Sequence, residues 1–240
     1  ALARRYSNIN AIVVGNETML RADKSVDDLI GIIRRVKRQS PVPVTTGETF
    51  DVWLGITDPK KPEEAESKAE AATKLASAVD FIAAHILPYW GGIPADQAVE
   101  QTIVTYNQLR ARHPGKRIVI AEFGWPSGGY NMHAADPGRI EQAAVLRDFV
   151  SRAEAYGIDY NIVEAFDQPW KTNEGGVGMY WGMFDASRQP KFALTGPIDH
   201  ADYWKIAAIG IAIGLLISLP ILGGAATFRE AVLLAAASHV

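Results

Sequence analysis

Residues 117–126 read Arg-Ile-Val-Ile-Ala-Glu-Phe-Gly-Trp-Pro, and the first half of this stretch is almost entirely apolar. The run over 117–121 predicts a strand that is covered on both faces, which is typical of a parallel sheet. The strand leads into Glu122, a carboxylate that the core of a sheet does not favour. Because the carboxyl ends of parallel strands carry the functional residues of α/β barrels, Glu122 is a candidate for chemistry.

The same pattern recurs on both sides of this stretch. Strands are predicted over 11–14, 42–46, 79–86, 117–121 and 160–165, and helices over 25–39, 62–75, 95–112 and 137–156. The alternation predicts a parallel sheet with right-handed crossovers. Such a sheet is either doubly wound or closed into a barrel. No strand leads into a glycine-rich phosphate-binding loop, so a nucleotide-binding fold loses its main support, and the placement of polar and aromatic residues at the strand ends favours the barrel.

The predicted strands end in polar and aromatic residues. These ends are Asn16-Glu17, Thr45–Glu48, His85–Trp90, Glu122–Pro126 and Glu164–Lys171. Several carboxylates therefore meet at one edge of the sheet, with tryptophans close behind them. Glycoside hydrolysis needs two carboxyl groups, and aromatic faces stack on sugar rings, so this edge is typical of a sugar-processing site.

Composition excludes several other functions. The chain has 24 basic and 27 acidic residues, which argues against a nucleic-acid binder. It has no cysteine, so a thiolate nucleophile, a zinc-thiolate site and a disulfide framework are excluded. The five histidines are scattered without the spacing of metal ligands, so we expect neither a metal nor another cofactor.

An uncharged apolar run stands near the end of the sequence. It extends from Ile206 to Ala226 and follows the aromatic pair Tyr203-Trp204. About 20 apolar residues span a bilayer, so the run predicts a transmembrane helix, with a buried core helix as the alternative. Residues 231–237 are apolar again and predict the start of a second membrane segment.

Four ordered segments carry a more specific resemblance. Residues 12–17 (IVVGNE), 118–127 (IVIAEFGWPS) and 164–171 (EAFDQPWK) resemble the signature segments of family 17 glycoside hydrolases, and 80–90 looks like their sixth-strand segment. That family acts on β-1,3-linked glucans with a (β/α)8 TIM barrel. The resemblance implies that this chain holds about strands 4–8, with the first three βα units lying before Ala1, and that the fragment alone is inactive.

The resemblance also implies roles for individual residues. Glu17 would be the general acid/base, with a raised pKa, and Glu122 the ionised nucleophile of a retaining mechanism. Asn16 would hydrogen-bond the sugar 2-hydroxyl, and Tyr89 would hold the nucleophile. Further contacts with the glucan are implied for Trp90, Trp125, Glu164, Phe166, Trp170 and Lys171.

Other residues at the strand ends keep two interpretations each. Glu48, His85 and Asp167 are either functional or structural: His85 as a satisfied core residue, Asp167 as a partner of Lys171. Trp181 is either a packing residue or a sugar platform.

The sequence thus predicts two regions, a partial barrel over 1–200 and a membrane segment over 201–240. The membrane segment resembles bacterial relatives linked to β-glucan synthesis. We therefore expect a bacterial inner-membrane protein whose glycosidase domain is periplasmic or extracellular. The expected partners are β-glucan, the lipid bilayer and a glucan synthase or glycosyltransferase module.

Three functions remain open at this point. The first is a retaining enzyme on β-1,3-glucan that transfers the glycosyl group either to water or to a second glucan. The second is a non-catalytic, membrane-anchored glucan-binding or scaffolding domain. The third, a nucleotide-sugar transferase, lacks any diphosphate-binding or metal-binding motif in this chain.

Overall fold

The computed structural model describes residues 2–198, 203–222 and 229–230, with side chains described for all of these except 217–222. The chain divides into two compact units, Ala1–Thr195 and Gly196–Val240. The first unit contains the sheet and every strand-end residue singled out above.

The first unit alternates strands and helices. Its strands are β1 (Ile12–Asn16), β2 (Val44–Thr49), β3 (Ile82–His85), β4 (Ile118–Phe123) and β5 (Asp159–Ile162). Its α-helices are α1 (Leu2–Arg5), α2 (Val26–Lys37), α3 (Phe50–Leu54), α4 (Ala65–Ala78), α5 (Ala95–Arg112) and α6 (Arg139–Tyr156). Short 3-10 helices lie at Pro62–Glu64, Pro88–Gly91 and Gly178–Tyr180. Every strand and every long helix predicted for 1–200 is present, with shifts of a few residues at the ends.

The five strands form one parallel sheet in the order β1-β2-β3-β4-β5, so each strand lies beside the next one in the chain. Among the described residues β1 and β5 each pair on one side only. Sequential parallel order with helical crossovers is the arrangement of consecutive strands in an α/β barrel. The α/β fold with a parallel sheet is confirmed, and all carboxyl ends lie at the same edge.

Helix α2 forms where capping and patterning predict it. The Ser25 hydroxyl accepts a hydrogen bond from the Asp28 amide at 3.1 Å, a cap that stabilises a helix by about 1 kcal/mol. Leu29, Ile30 and Ile33 recur at helical spacing and are buried. The N-cap and the apolar periodicity therefore both agree with the observed helix and its buried face.

Helix α3 lies between the predicted strand over 42–46 and the predicted helix over 62–75, in a stretch for which no helix is predicted. Trp53 in this helix is fully buried, and its indole N–H donates to the Ala83 carbonyl of β3 at 3.0 Å. The ring of His113 is within 2.7 Å of the Trp53 carbonyl oxygen. Burial of one large side chain against the sheet stabilises five residues that are too few to show helical periodicity.

Irregular pairing is concentrated near the carboxyl ends of the strands. The register shifts between Val13 and Asn16 of β1, after Ala84 of β3, and between Ile120 and Phe123 of β4. Such irregularities bend a strand and redirect the side chains beside them. The sheet is therefore regular where it packs and distorted where the candidate site lies.

The second unit contains helix α7 (Tyr203–Leu222). Within the described residues, no helix combines the length and the apolar character that a membrane crossing requires. The transmembrane helix predicted over 206–226 is therefore not supported. Positions 223–226 of that prediction, and the second apolar segment over 231–237, lie outside the described residues.

Candidate active site

A cavity of about 1010 Å³ lies at the carboxyl edge of the sheet. Its lining combines acidic, basic and aromatic side chains from the ends of several strands and the loops that follow. Those that matter below are Asn16, Glu17, Arg21, His85, Trp90, Glu122, Glu164, Lys171, Glu174 and Trp181. The predicted catalytic pair and four of the eight predicted substrate-binding residues are thus brought to one cavity wall.

Glu17 and Glu122 face each other although their strands are not neighbours. Glu17 follows β1, Glu122 lies in β4, and one carboxylate oxygen from each lies within 4.8 Å of the other. Retaining glycosidases place their carboxyl groups about 5–5.5 Å apart, whereas inverting enzymes leave roughly 6.5–9.5 Å for a water molecule. The approach of these two oxygens is compatible with the spacing of a retaining pair.

The backbone at Glu17 is unusual. Its φ of 53° lies in the left-handed region, which costs a non-glycine residue on the order of 1 kcal/mol. Its amide donates to the Gly47 carbonyl at 2.7 Å, which ties this turn to β2. Strain of this kind is held by its surroundings and is concentrated at functional sites.

His85 lies between the two glutamates. Its Nδ1 is 3.1 Å from Glu17 Oε1 and its Nε2 is 3.7 Å from Glu122 Oε1, and the ring is buried. The three side chains are close enough to hold a metal ion. The two ring nitrogens face different carboxylates, however, which is the geometry of hydrogen bonding and not of joint ligation. Of the two interpretations of His85, the structure favours the functional one.

The pKa values of the two glutamates are shifted in opposite directions. The hydrogen bond from His85, supported by Arg21 at 3.0 Å, lowers the pKa of Glu17 below its ordinary value. Burial raises the pKa of Glu122. The expected raised pKa at Glu17 is therefore wrong, because two donors next to that carboxylate outweigh its partial burial.

Glu164 and Lys171 lie together on the cavity wall, as predicted. Lys171 Nζ is 3.2 Å from Glu164 Oε2, and the Gln168 amide donates to the same oxygen. The other oxygen, Glu164 Oε1, is buried and has no hydrogen-bond partner among the residues that the structure describes. Burial also raises the pKa of Glu164. An unpaired acceptor beside a cation is suited to a sugar hydroxyl.

One aromatic stack faces the cavity. Trp90 is 39% exposed and stacks on Trp181, with ring centroids 5.9 Å apart and planes inclined by 29°. Both rings line the cavity. Trp90 therefore lies where a sugar platform is predicted. Trp181 packs against Trp90 and also lines the cavity, so the structure is compatible with both interpretations of Trp181.

Tyr89 and Trp125 are buried behind this wall. The Tyr89 hydroxyl donates to the Tyr130 carbonyl at 2.5 Å, and burial raises the pKa of Tyr89 to about 12. Among the described residues no hydrogen bond joins Tyr89 to Glu122. The side chain that lies near the Glu122 carboxylate is His85, with Nε2 at 3.7 Å from Oε1. Trp125 is fully buried and donates to the Asp136 carbonyl at 3.0 Å. In this structure both side chains complete the core, so the predicted contacts of Tyr89 with the nucleophile and of Trp125 with the glucan stay predictions.

Phe166 and Trp170 are exposed but do not line the cavity. Phe166 packs against Phe184, and the Arg188 guanidinium lies 5.7 Å from its ring centre. Trp170 is 74% exposed. Neither aromatic residue belongs to the cavity wall on which the sequence places it.

Glu48 and Asp167 both prove to be structural. Glu48 is fully buried and accepts hydrogen bonds from the amide of Met19. Asp167 pairs at 2.7 Å with Lys191, and not with Lys171 as predicted. Lys191 is a buried cation that the sequence analysis did not single out, and no local pattern marks it.

Arg21 is a residue that sequence reasoning missed although a signal was present. It stands four positions after Glu17 in the chain, and its guanidinium bonds to Glu17 Oε2. Side chains four residues apart lie next to each other wherever the backbone is helical, so opposite charges at this spacing can form an ion pair. Glu174, also missed, adds a further negative charge near Glu122 and raises its pKa.

Comparison with known proteins agrees with this site. Residues 1–182 match the family model described as the BtgE/BtgC glycoside hydrolase domain. The chain is 31% identical over 222 residues to the probable glucan endo-1,3-beta-glucosidase btgC of Aspergillus fumigatus, and the alignment covers 81% of this chain and 30% of that protein. The chain thus spans about a third of the length of this relative.

Solved structures agree as well. The family 17 β-1,3-glucanosyltransferase of Rhizomucor miehei superposes with a TM-score of 0.65 at 26% identity, covering 79% of this chain and 65% of that one. An active-site mutant of the Rhizomucor miehei enzyme in complex with laminaritriose has a TM-score of 0.63 at 25% identity, covering 77% and 62%. These relatives give no support to a bacterial, membrane-associated type. On the match over residues 1–182, the chain belongs to the BtgE/BtgC glycoside hydrolase domain family.

Proposed function

We propose that this chain carries the catalytic face of a retaining glycosidase that acts on β-1,3-linked glucan. The observation that carries the proposal is the approach of Glu17 and Glu122 to within 4.8 Å in one cavity. Two carboxyl groups at this distance suit a double displacement. The names of the Aspergillus relative and of the Rhizomucor enzyme, with its laminaritriose complex, support the choice of β-1,3-glucan.

The mechanism has two steps. Glu122 attacks the anomeric carbon while Glu17 donates its proton to the departing oxygen, which leaves a glycosyl-enzyme ester and an ionised Glu17. Glu17 then removes a proton from the incoming acceptor, whose oxygen displaces Glu122 from the anomeric carbon. Each glutamate is thereby returned to its starting form.

Substrate contacts follow from the cavity wall. Trp90 offers an exposed ring face on which a glucosyl unit stacks. Glu164 Oε1 can accept a hydrogen bond from one sugar hydroxyl, and Lys171 Nζ can donate one to another. Asn16 precedes Glu17 and lines the same cavity, so it is suited to the 2-hydroxyl next to the reacting carbon.

The acceptor of the second step is either water or another glucan. Incubation with laminari-oligosaccharides of defined length separates the two outcomes. Products longer than the substrate, resolved by mass spectrometry, require transfer to a sugar, whereas hydrolysis gives shorter products alone. The names of the relatives include both a glucosidase and a glucanosyltransferase, so either outcome is compatible with the proposal.

The roles of the glutamates are tested in the full-length protein, because this chain spans only part of the length of the relatives it matches. Glu122→Gln should abolish turnover. Glu17→Ala should recover activity with azide as a small nucleophile and yield the β-glycosyl azide, since Glu122 still forms the ester. Glu100→Gln, at an exposed residue that pairs with Arg152, is the matched control and should keep wild-type rates. Full activity in Glu122→Gln contradicts the mechanism, and binding of laminari-oligosaccharides without any turnover by the wild type favours a glucan-binding domain instead.

The location of the enzyme in the cell stays a prediction. A polymeric glucan outside the cytoplasm requires that the glycosidase domain be exported, which fractionation of the source cells with domain-specific antibody tests. Association with a glucan synthase or glycosyltransferase module likewise stays a prediction, and affinity purification of the full-length protein tests it.

A further inference from the structure

His85 is the one described side chain that contacts both candidate catalytic carboxylates. Its Nδ1 lies 3.1 Å from Glu17 Oε1, and its Nε2 lies 3.7 Å from Glu122 Oε1. The first distance is that of a hydrogen bond. The second is too long for one, and a rotation of the partly exposed Glu122 side chain toward the ring would have to shorten it. An imidazole that faces a carboxylate through each nitrogen can accept a proton on one side and donate one on the other.

The position of His85 is fixed by its surroundings. The side chain is only 2% exposed, so it exchanges no proton with bulk solvent directly. A Cβ added to Gly47 in β2 would lie 2.8 Å from His85 Nε2, so the ring packs directly against the glycine backbone. The register of β3 against β4 shifts at His85, which turns this residue toward Glu122.

The charges around His85 come from every neighbouring strand. Glu17 follows β1, the buried Glu48 lies in β2, and Glu122 lies in β4. From the loop after β5, Lys171 and Glu174 act on the Glu122 carboxyl. The hydrogen bond from His85 lowers the pKa of Glu17, and burial raises the pKa of Glu122, so whenever the pair holds a single proton that proton rests on Glu122. The proposed mechanism needs that proton on Glu17.

We propose that His85 is a positioning residue that passes the shared proton between Glu122 and Glu17 by changing its tautomer. The proposal rests on the function proposed above. In the resting form Nδ1 carries the hydrogen and donates to ionised Glu17, while Nε2 accepts from protonated Glu122. Transfer moves the Glu122 proton to Nε2 and the Nδ1 proton to Glu17. The imidazole is neutral before and after, and one proton has moved between the carboxyls.

The two tautomers therefore select two states of the site. With the hydrogen on Nδ1, Glu17 is the anion and cannot protonate a leaving group. With the hydrogen on Nε2, Glu122 is the anion that accepts the hydrogen bond, and Glu17 holds the proton, which is the reactive state. No metal, oxidant or external base is needed for the exchange.

Two substitutions separate the two nitrogens. In His85→Asn the amide N–H₂ can replace Nδ1 toward Glu17 but leaves the Glu122 side without a partner. In His85→Gln the longer side chain reaches toward Glu122 and removes the donor from Glu17. His133→Gln, at an exposed histidine outside the cavity, is the matched control.

We expect the two variants to differ in kcat and in pH profile, which a purely structural role of His85 would not predict. His85→Asn keeps the resting state, so kcat on laminari-oligosaccharides should fall at least about 100-fold with KM within about twofold. His85→Gln should retain about tenfold more activity than His85→Asn, and the alkaline limb of its pH profile should move to higher pH because Glu17 has lost a donor. Equal kcat values and unshifted pH profiles in the two variants would overturn the proposal.

Carboxyl ¹³C titration by NMR gives a readout that does not depend on turnover. The Glu17 pKa should rise in His85→Gln and stay low in His85→Asn, and the ¹⁵N shifts of His85 should report a neutral ring with both tautomers populated. A Glu17 pKa that is unchanged in both variants contradicts the relay. If the wild type shows no turnover, the proposed function fails while the titration still decides whether His85 couples the two carboxyls.

Discussion

Glu48 holds the main chain that follows Glu17: both of its carboxylate oxygens lie 3.2 Å from the amide nitrogen of Met19. The amides of Thr18 and Leu20 also hydrogen-bond this carboxylate and lower its pKa, although burial, the larger effect, raises it. A fully buried acid at the end of β2 thus orients the turn that carries Glu17, the proposed general acid/base.

Removing this carboxylate should affect both stability and catalysis. Glu48→Ala leaves the partly buried amide of Met19 without its acceptor, so we expect a loss of about 1–3 kcal/mol in the free energy of unfolding. Freed from this anchor, Glu17 should lose its alignment, and kcat should fall at least tenfold. Urea unfolding and initial rates on laminari-oligosaccharides measure the two effects. A wild-type kcat in a folded Glu48→Ala protein would show that the turn after Glu17 keeps its conformation without the Glu48 carboxylate.

The raised pKa of Glu48 also makes a prediction about pH. A folded pKa above the unfolded one means that the folded state binds the extra proton, so this contribution to stability is present below about pH 4 and is lost as pH rises through the folded pKa. Glu48→Gln has no such proton. The stability of the wild type relative to this variant should therefore decrease between acidic and neutral pH, as measured by urea unfolding at several pH values. A difference that stays constant with pH would exclude a titrating Glu48.

Gly47 is predicted to be intolerant of any side chain. A Cβ there lies 2.8 Å from His85 Nε2 and 3.3 Å from Asn16 Oδ1, and the buried imidazole has little room to move. Gly47→Ala should lower kcat more than tenfold and the free energy of unfolding by about 1–3 kcal/mol. Gly31→Ala is the matched control, because a Cβ in that helix meets nothing within 4 Å. The control should keep its activity and gain roughly 0.5–1 kcal/mol from helix propensity. Equal activity of the two variants would contradict the packing of His85 against Gly47.

The sequence predicted the parts of this molecule that local patterns encode. The apolar strand before Glu122 and the capped helix after Ser25 form as expected, because periodicity and capping act within a few residues. The acids at the strand ends meet because parallel strands share an edge, so the pairing of Glu17 with Glu122 follows from topology.

What the sequence could not predict depends on long-range packing. Whether an aromatic residue at a strand end faces the cavity or the core is decided by its three-dimensional neighbours, as Trp90 and Trp125 show. The partner of Asp167 is Lys191, which is distant in sequence, although Lys171 is the nearer candidate along the chain. The pKa of Glu17 depends on His85, contributed by another strand.

The Asp167–Lys191 pair should stabilise the loops behind the cavity. Lys191 Nζ also donates to the Ser127 hydroxyl at 2.5 Å and to the Tyr180 carbonyl at 3.1 Å, so all three of its hydrogens are used. Lys191→Met leaves a mostly buried carboxylate unpaired and should destabilise the protein by about 3–5 kcal/mol. Lys191→Met combined with Asp167→Asn should recover part of that loss. Thermal unfolding of the single and double variants completes the cycle, and strictly additive effects would show that the two side chains do not interact.

Trp90 and Trp170 allow a direct comparison of two exposed tryptophans that the sequence assigned to the same glucan cleft. Trp90 lines the cavity and is supported from behind by Trp181, whereas Trp170 is more exposed and lies outside the cavity lining. A stacked sugar gains about 1 kcal/mol or more from an aromatic face. Trp90→Ala should therefore raise KM for laminari-oligosaccharides about tenfold with a smaller change in kcat, and Trp170→Ala should leave KM within about twofold. Kinetics on oligosaccharides of increasing length measure both. A larger effect at Trp170 would place the glucan outside this cavity, because a ring that does not line it can contact only sugar units that lie beyond it.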